Sequence, residues 1–323
     1  MNKKRKAVIE QNEISEVATL TLGGYQQKVL IEGKSRSLPV LVFLHGGPGS
    51  PVPFGVGSRG LYPEFTDRFV MVYWDQLGSG INNRVIDDSF CIQNFVDMTV
   101  DLVREMKKRF PENRLILFGT SWGSVLTLKA AGRLGSEIDA AVTWGQFTNK
   151  ALCGENAYSA LENSSMPESK KQTVRSIKSG RMTPDGVKQL AGLLMKYTDG
   201  YINSSAPKMP MGAMALGLLT SPDYKLKDFI ALFKNGTRKN ESLWRELIDS
   251  DFCAELAAVP VRFAVLQGET DVVTDTQTVV EVVKNANNPN LTCRVVQNAG
   301  HIPGENAISV IIDAIESVAQ DCA

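Results

Sequence analysis

The sequence predicts an α/β fold, with a mostly parallel sheet that helices cover on both faces. Short apolar runs alternate with segments of helical periodicity, which is the pattern of a parallel sheet. The alternation stops between residues 147 and 256, where the pattern is helical and polar. A serine between two glycines also stands at a turn from strand into helix, in residues 119–123. These three observations set the fold class and point to one site.

The predicted elements begin with a hairpin around Gly23 and Gly24. A helix is expected over 94–106, where apolar residues recur at helical spacing before Pro111. Further helices are expected near 275–286 and 306–319, between and after the last strands. The strands are expected at residues 15–22, 26–32, 39–44, 69–74, 114–118, 139–144, 261–266 and 291–296.

The helical segment divides the predicted chain into core residues 1–146, an inserted cap of residues 147–256, and core residues 257–323. A cap over the site would exclude water and shape specificity. Its apolar run 209–219 is too short for a membrane span and suits a pocket wall or a contact in a homo-oligomer. Methionines here can line an apolar pocket, although packing between cap helices is the commoner role. They are Met166, Met182, Met195, Met209, Met211 and Met214.

Ser121 is the candidate nucleophile. It follows the apolar run 115–118 and precedes a helix-like stretch, so that G-x-S-x-G lies at a strand–turn–helix junction. In α/β-hydrolases this turn strains the serine into the open. The outer glycines are needed because side chains would collide in so tight a turn.

The base and the acid follow from chain order, which in this fold is serine, then acid, then histidine. The chain has two histidines, and only His301 follows Ser121, in a loop after a predicted strand. Asp271 lies between them, three residues past Gly268. Glu269 and Asp275 compete for the role of the acid, although a solvated loop and a helix N-cap explain them adequately. A surface-loop histidine remains the alternative for His301.

An oxyanion hole is expected beside Ser121. The apolar strand before His45 breaks into the glycine-rich segment 45–51, where the backbone could approach a substrate carbonyl. We expect the Gly47 and Trp122 N–H groups to donate to the oxyanion, with Gly46 contacting substrate. His45 is expected to organise this loop through hydrogen bonds. An ordinary Gly/Pro turn is the alternative explanation.

Three motifs together resemble the proline iminopeptidases and their relatives among the α/β-hydrolases: HGGPG at 45–49, YWDQLGSG at 73–80 and GTSWGS at 119–124. The resemblance spans residues 38–146 and 259 to the end. It implies a triad of Ser121, Asp271 and His301, with oxyanion donors at Gly47 and Trp122. Leu77 replaces the family's arginine in WDQRG, and no W-x-x-W-E motif follows, which argues against strict release of N-terminal proline.

Composition adds several expectations. Lysine plus arginine equal aspartate plus glutamate at 35 each, so no net field favours nucleic acid or an anionic membrane. No apolar segment follows the basic start 1–6, which is therefore expected to be a solvated tail and not a signal peptide. The five cysteines, an odd number, indicate reduced thiols and a cytoplasmic location. We expect no cofactor and no metal, since two histidines give little support to a zinc site.

The leading hypothesis is a serine hydrolase that cleaves short peptides or amino-acid amides. A carboxylesterase and a non-catalytic ligand-binding member of the fold are the alternatives. An aminopeptidase must pair the substrate ammonium with a carboxylate, so we expect a cap acid in the pocket. Glu155 or Glu255 is the first choice, and Glu162 and Asp199 are further candidates. Solvated helix faces are the commoner explanation of all four acids.

Overall fold

The computed structural model describes residues 3–149, 152–207 and 210–320. One eight-stranded sheet crosses the molecule. Its strands are β1 (Ile14–Leu22), β2 (Tyr25–Gly33), β3 (Val40–Leu44), β4 (Val70–Trp74), β5 (Leu115–Thr120), β6 (Ala140–Trp144), β7 (Arg262–Gly268) and β8 (Leu291–Val296). Their order in the sheet is β1-β2-β4-β3-β5-β6-β7-β8. The first two strands form an antiparallel hairpin that joins β4, and β3 to β8 run parallel.

The helices follow the strands in alternation, except in the middle of the chain. They are α1 (Lys3–Gln11), α2 (Pro63–Arg68), α3 (Ile92–Arg109), α4 (Trp122–Leu134), α5 (Glu155–Glu162), α6 (Glu168–Ser179), α7 (Pro184–Tyr197), α8 (Met211–Leu219), α9 (Leu226–Ile230), α10 (Gly236–Lys239), α11 (Glu241–Asp249), α12 (Cys253–Ala257), α13 (Thr276–Ala286) and α14 (Ala307–Gln320). The predicted α/β class is confirmed, and each predicted strand is present with its ends within two residues.

The sheet is buried on both faces, which explains why its central strands are continuously apolar. In β3, Val40, Val42 and Leu44 pack into one core layer, and Leu41 and Phe43 pack into the other. The first layer includes apolar residues of α3, α4 and α13, and the second includes those of α2 and α14. The carboxyl ends of the parallel strands meet at one edge, where α/β proteins place their sites.

The described part of the segment between β6 and β7 contains eight helices, α5 to α12. Residues of α5, α6 and α7 form a separate apolar cluster around Leu161, Leu190 and Leu194. Helix α11 packs differently, since its Leu243 and Leu247 join the core layer beneath. The predicted cap segment is therefore helical, and its second half rests on the sheet domain. Of its methionines, Met166 and Met182 pack in the separate cluster, Met195, Met211 and Met214 line a cavity, and Met209 lies outside the described residues.

The prediction of a solvated basic tail is wrong for Arg5. Residues Lys3–Gln11 form a helix, and the Arg5 side chain is 3% exposed. Its guanidinium donates hydrogen bonds to the carbonyls of Gly57, Arg59 and Gly217. Sequence composition missed this contact because the acceptors are backbone groups distant in sequence.

Within the described ranges, no helix is long and apolar enough to cross a bilayer. Cys91, Cys153, Cys253 and Cys293 are free thiols, and Cys322 lies outside the described residues.

Candidate active site

Ser121 stands at the turn between β5 and α4. Its φ of 53° and ψ of −118° are unusual for a residue with a side chain. The flanking glycines make this turn possible. A Cβ on Gly119 would lie 2.1 Å from Thr127 Oγ1, and one on Gly123 would lie 1.9 Å from the carbonyl oxygen of Leu44. The turn thus presents the Ser121 hydroxyl at the carboxyl edge of the sheet.

A continuous hydrogen-bond relay joins Ser121 to His301 and Asp271. Ser121 Oγ lies 2.9 Å from His301 Nε2, and His301 Nδ1 lies 2.9 Å from Asp271 Oδ2. The structure therefore brings together the three residues that the chain order selected. Of the competing acids, Glu269 accepts from the Asn298 N–H, and Asp275 accepts from Asn156 and Thr278. Both acids are held outside the relay.

The Asp271 carboxylate is fully buried yet remains suited to carry a negative charge. Burial by itself would raise its pKa, but the charge and hydrogen bond of His301 and the donors of Thr274 lower the pKa below the usual value. Asp271 Oδ1 accepts from the Val273 N–H at 2.7 Å and the Thr274 N–H at 3.1 Å, and Oδ2 accepts from the Thr274 hydroxyl at 2.8 Å. A charged acid here would orient the imidazole and stabilise its protonated form.

The backbone of His301 is fixed from two sides. Trp144 Nε1 donates to its carbonyl at 2.8 Å, and its own N–H donates to the Gly200 carbonyl at 3.1 Å. Gly145 passes beneath the ring, where a Cβ would lie 3.2 Å from it, and Tyr201 contacts the ring edge at a centroid distance of 5.4 Å. Sequence reasoning missed these contacts, although a glycine directly after a buried strand was a signal for Gly145.

The glycine-rich segment after β3 lies beside Ser121. A Cβ on Gly46 would lie 3.3 Å from the Cβ of Ser121, and Gly47 adopts a φ of 124°. Trp122 is the first residue of α4, where backbone N–H groups have no partner within the helix. Among the described residues no acceptor is recorded for the Gly47 or Trp122 N–H. Gly46 and Trp122 thus flank Ser121, and the assignment of the Gly47 and Trp122 N–H groups as oxyanion donors stays a prediction.

His45 organises this segment and does not contact the relay. Its Nδ1 donates to the Gly46 carbonyl at 2.9 Å, and its Nε2 accepts from the Gln76 N–H at 2.9 Å. Gln76 in turn donates to the His45 carbonyl and accepts from Trp122 Nε1. Complete burial lowers the pKa of His45 to about 4, so the ring is neutral in the tautomer these bonds require.

A cavity of about 1030 Å³ opens above Ser121 and His301, between the sheet edge and the cap segment. Its walls are mainly apolar and aromatic, with a few polar side chains. The charged side chains that line it are Lys196, Asp199 and Arg238. The apolar part of the wall includes Phe54, Phe118, Met195, Met211, Met214 and Ile311.

The expectation that Glu155 or Glu255 faces the cavity is wrong. The Glu155 carboxylate pairs with Lys178 at 2.6 Å on the surface, and Glu255 pairs with Lys129 at 2.9 Å on the outside of α4. Glu162 is likewise held by Arg175. The cap acid at the cavity is Asp199, in the turn after α7, where its Oδ1 accepts from the Ser204 N–H at 2.9 Å.

The fold and the site together define the class of protein. The family model described as the alpha/beta hydrolase fold matches residues 39–307, and the chain belongs to that family. It resembles the probable aminopeptidase YbaC of Bacillus subtilis (strain 168), with 25% identity over 306 residues that cover 91% of this chain and 93% of that protein.

Solved structures agree with this fold. A proline iminopeptidase-related protein of Thermus thermophilus superposes with a TM-score of 0.65 at 20% identity, covering 96% of this chain and 100% of that one. The proline iminopeptidase of Mycobacterium smegmatis gives a TM-score of 0.62 at 18% identity, covering 95% and 97%. The chain is therefore an α/β-hydrolase that resembles the proline iminopeptidase group.

Proposed function

We propose that this protein is a serine hydrolase that cleaves short peptides or amino-acid amides through an acyl-enzyme on Ser121. One observation carries the proposal. The relay from Ser121 through His301 to the buried Asp271 has hydrogen-bond distances of 2.9 Å at both links and opens into the cavity. A nucleophile beside a base that a third group orients is the arrangement that covalent catalysis requires.

In the proposed mechanism, Ser121 Oγ attacks the substrate carbonyl while His301 Nε2 takes its proton. Asp271 holds the imidazole and stabilises its positive charge. The oxyanion lies between the Gly47 and Trp122 N–H groups, which need not reorganise to bind it. His301 then gives the proton to the leaving amine, and water, activated by the same imidazole, releases the acyl group. Each step uses groups of this chain.

Asp199 supports the peptide assignment, because a buried substrate ammonium requires a nearby carboxylate. The Gly200 carbonyl accepts a hydrogen bond from the His301 N–H. Asp199 therefore directly precedes a residue that contacts the loop of His301. The likeness to a probable aminopeptidase supports the same substrate class.

A fluorophosphonate probe tests the nucleophile. It should label the wild-type protein and fail to label Ser121→Ala, since the probe requires the activated hydroxyl. Thermal unfolding of the variant serves as the folding control. Equal labelling of the two proteins would refute the mechanism.

A carboxylesterase is the second candidate, and the mainly apolar cavity wall favours it. Aminoacyl-naphthylamides assayed beside p-nitrophenyl esters separate the two. For a peptidase, Asp199→Asn should raise KM for the free-amine substrate about tenfold, as expected for the loss of a charged contact, and leave the neutral ester unchanged. Glu155→Gln is the matched control, because its carboxylate faces solvent. Equal effects of Asp199→Asn on both substrates would favour the esterase.

A further inference from the structure

The cavity carries more positive charge than an amine-binding site requires. Lys196 and Arg238 oppose the single carboxylate of Asp199. Lys196 already has a partner, because its Nζ lies 5.1 Å from the centroid of the Tyr197 ring. Arg238 is therefore the cavity-lining cation for which a ligand is to be sought.

Arg238 is anchored next to the candidate oxyanion loop. Its backbone N–H donates to Asn235 Oδ1 at 2.9 Å, and Asn235 Nδ2 donates to the Gly49 carbonyl at 2.7 Å. A Cβ on Gly49 would lie 3.1 Å from Arg238 Cγ. The stem of the side chain therefore packs on the loop two residues from Gly47.

The guanidinium itself is nearly free. Its recorded hydrogen bonds go from Nη1 to the carbonyls of Leu232 and Phe233, at 3.4 and 3.5 Å, which are long for such bonds. Across the described ranges no ion pair is recorded for it, although Arg59, Arg104 and Arg175 all pair with carboxylates. An arginine has five N–H donors in a planar fork that suits a carboxylate.

Tyr201 and Arg238 line the same cavity as Ser121 and His301. The Tyr201 ring contacts His301. Burial and the charge of Asp271 raise the pKa of Tyr201, while the positive charge of Arg238 acts in the opposite direction. The positive charge of Arg238 thus contributes to the electrostatic environment of the cavity wall beside His301.

We infer that Arg238 binds the terminal carboxylate of the substrate, so that the substrates are peptides of two or three residues with both ends free. The inference rests on the proposed function and names its substrate class. The ammonium would face Asp199 and the carboxylate would face Arg238. Each residue beyond the cleaved bond adds about 3.5 Å, so a flexible arginine beside the oxyanion loop can reach a carboxylate one or two residues away.

The test compares Xaa-Ala dipeptides with the same dipeptides as C-terminal amides. The wild-type enzyme should prefer the free acids by about tenfold or more in kcat/KM. Arg238→Gln should remove this preference by slowing the free acids and leaving the amides unchanged, and Arg238→Lys should retain part of it. Lys239→Gln is the matched control, an exposed cation of the same helix that does not line the cavity. Thermal unfolding checks that each variant is folded.

The outcomes separate the two proposals. If Ser121 is labelled by the probe and the wild-type enzyme cleaves acids and amides equally, the carboxylate site is refuted and the proposed function stands. The same conclusion follows if Arg238→Gln slows both sets alike. If no peptide is cleaved while esters are, the peptidase assignment fails and the inference fails with it.

Discussion

His45 shows how one buried residue can connect the chemistry of the site to stability. Its ring bridges the glycine-rich segment after β3 and the loop after β4, and it is neutral because burial lowers its pKa to about 4. Protonation would leave Nε2 facing the Gln76 N–H, so two donors would face each other. The folded state therefore disfavours the proton that the unfolded chain binds at the ordinary pKa of 6.5.

The lowered pKa of His45 makes the stability of the protein depend on pH. The contribution of His45 to stability is complete above pH 6.5 and is lost as the pH falls toward 4. His45→Gln keeps one donor and one acceptor without titrating. Between about pH 7.5 and about pH 4, the unfolding free energy of wild type relative to this variant should fall by on the order of 3 kcal/mol. Urea denaturation at both pH values measures it.

The unfolding free energy of wild type alone would not show this fall clearly, because the titration of Asp75 changes stability with pH in the opposite direction. Burial raises the pKa of Asp75 to about 6, against the hydrogen bonds from Tyr224, Ile81 and Val56. Its contribution to stability is therefore greatest at low pH and is lost as the pH rises toward 6. The difference between wild type and variant cancels this contribution. A pH-independent difference would show that His45 does not stay neutral.

At the scale of elements, the contact between α4 and β3 holds Ser121 in place. Gly123 lets the first turn of α4 rest directly on the carbonyl of Leu44, at the end of β3. This contact supports the positive φ of Ser121, a conformation that costs on the order of 1–3 kcal/mol.

Gly123→Ala should lower the free energy of unfolding by about 3 kcal/mol or more, because its Cβ would lie 1.9 Å from a backbone oxygen that cannot move aside. Gly132→Ala is the matched control in the same helix. No atom lies within 4 Å of its Cβ position, so this change should stabilise the protein by about 0.5–1 kcal/mol. Urea denaturation of both variants measures the contrast. A similar effect of the two would mean that α4 does not rest on β3 in this way.

The elements also show what a sequence can and cannot reveal. The strands and the positions of Ser121, Asp271 and His301 were predictable, because apolar runs, glycine spacing and chain order are local signals. The sequence did not distinguish Asp199 from Glu155, because a polar and helical pattern does not show which acidic residue lines the cavity. Arg238 and Tyr201 reach the cavity from separate parts of the cap, and only the folded packing brings them together.

At the scale of the whole molecule, a buried group of four charged residues joins the N-terminal helix, the hairpin and the cap. Arg59 pairs with Glu32 of β2 at 2.9 Å and with Asp223 at 3.1 Å, between α8 and α9. Arg5 adds hydrogen bonds to the carbonyls of Arg59 and of Gly217 in α8. The group is balanced in charge, and so losing one member leaves others buried without compensation.

Arg5→Leu should therefore lower the free energy of unfolding by about 3 kcal/mol, since buried carbonyls lose their donor and Glu32 and Asp223 lose a nearby positive charge. Lys6→Gln is the control from the same helix, with an exposed side chain that pairs with the exposed Glu10. Thermal and urea unfolding of the two variants check the prediction. If both variants have the same free energy of unfolding, the contacts of Arg5 contribute little to the stability of the fold.

The backbone contacts of the turn after α7 have a mechanical consequence. The Gly200 and Tyr201 carbonyls accept from the N–H groups of His301 and Ile302, so a displacement of this turn would also displace His301. Because of these two contacts, the turn after α7 and the loop of His301 are expected to move together. Helix α8, by contrast, carries exposed apolar side chains such as Met211. We expect the His301 and Ile302 amides to resist hydrogen exchange equally in the free and the acylated enzyme. This coupling would then keep His301 aligned with Ser121 when a substrate enters or leaves the cavity.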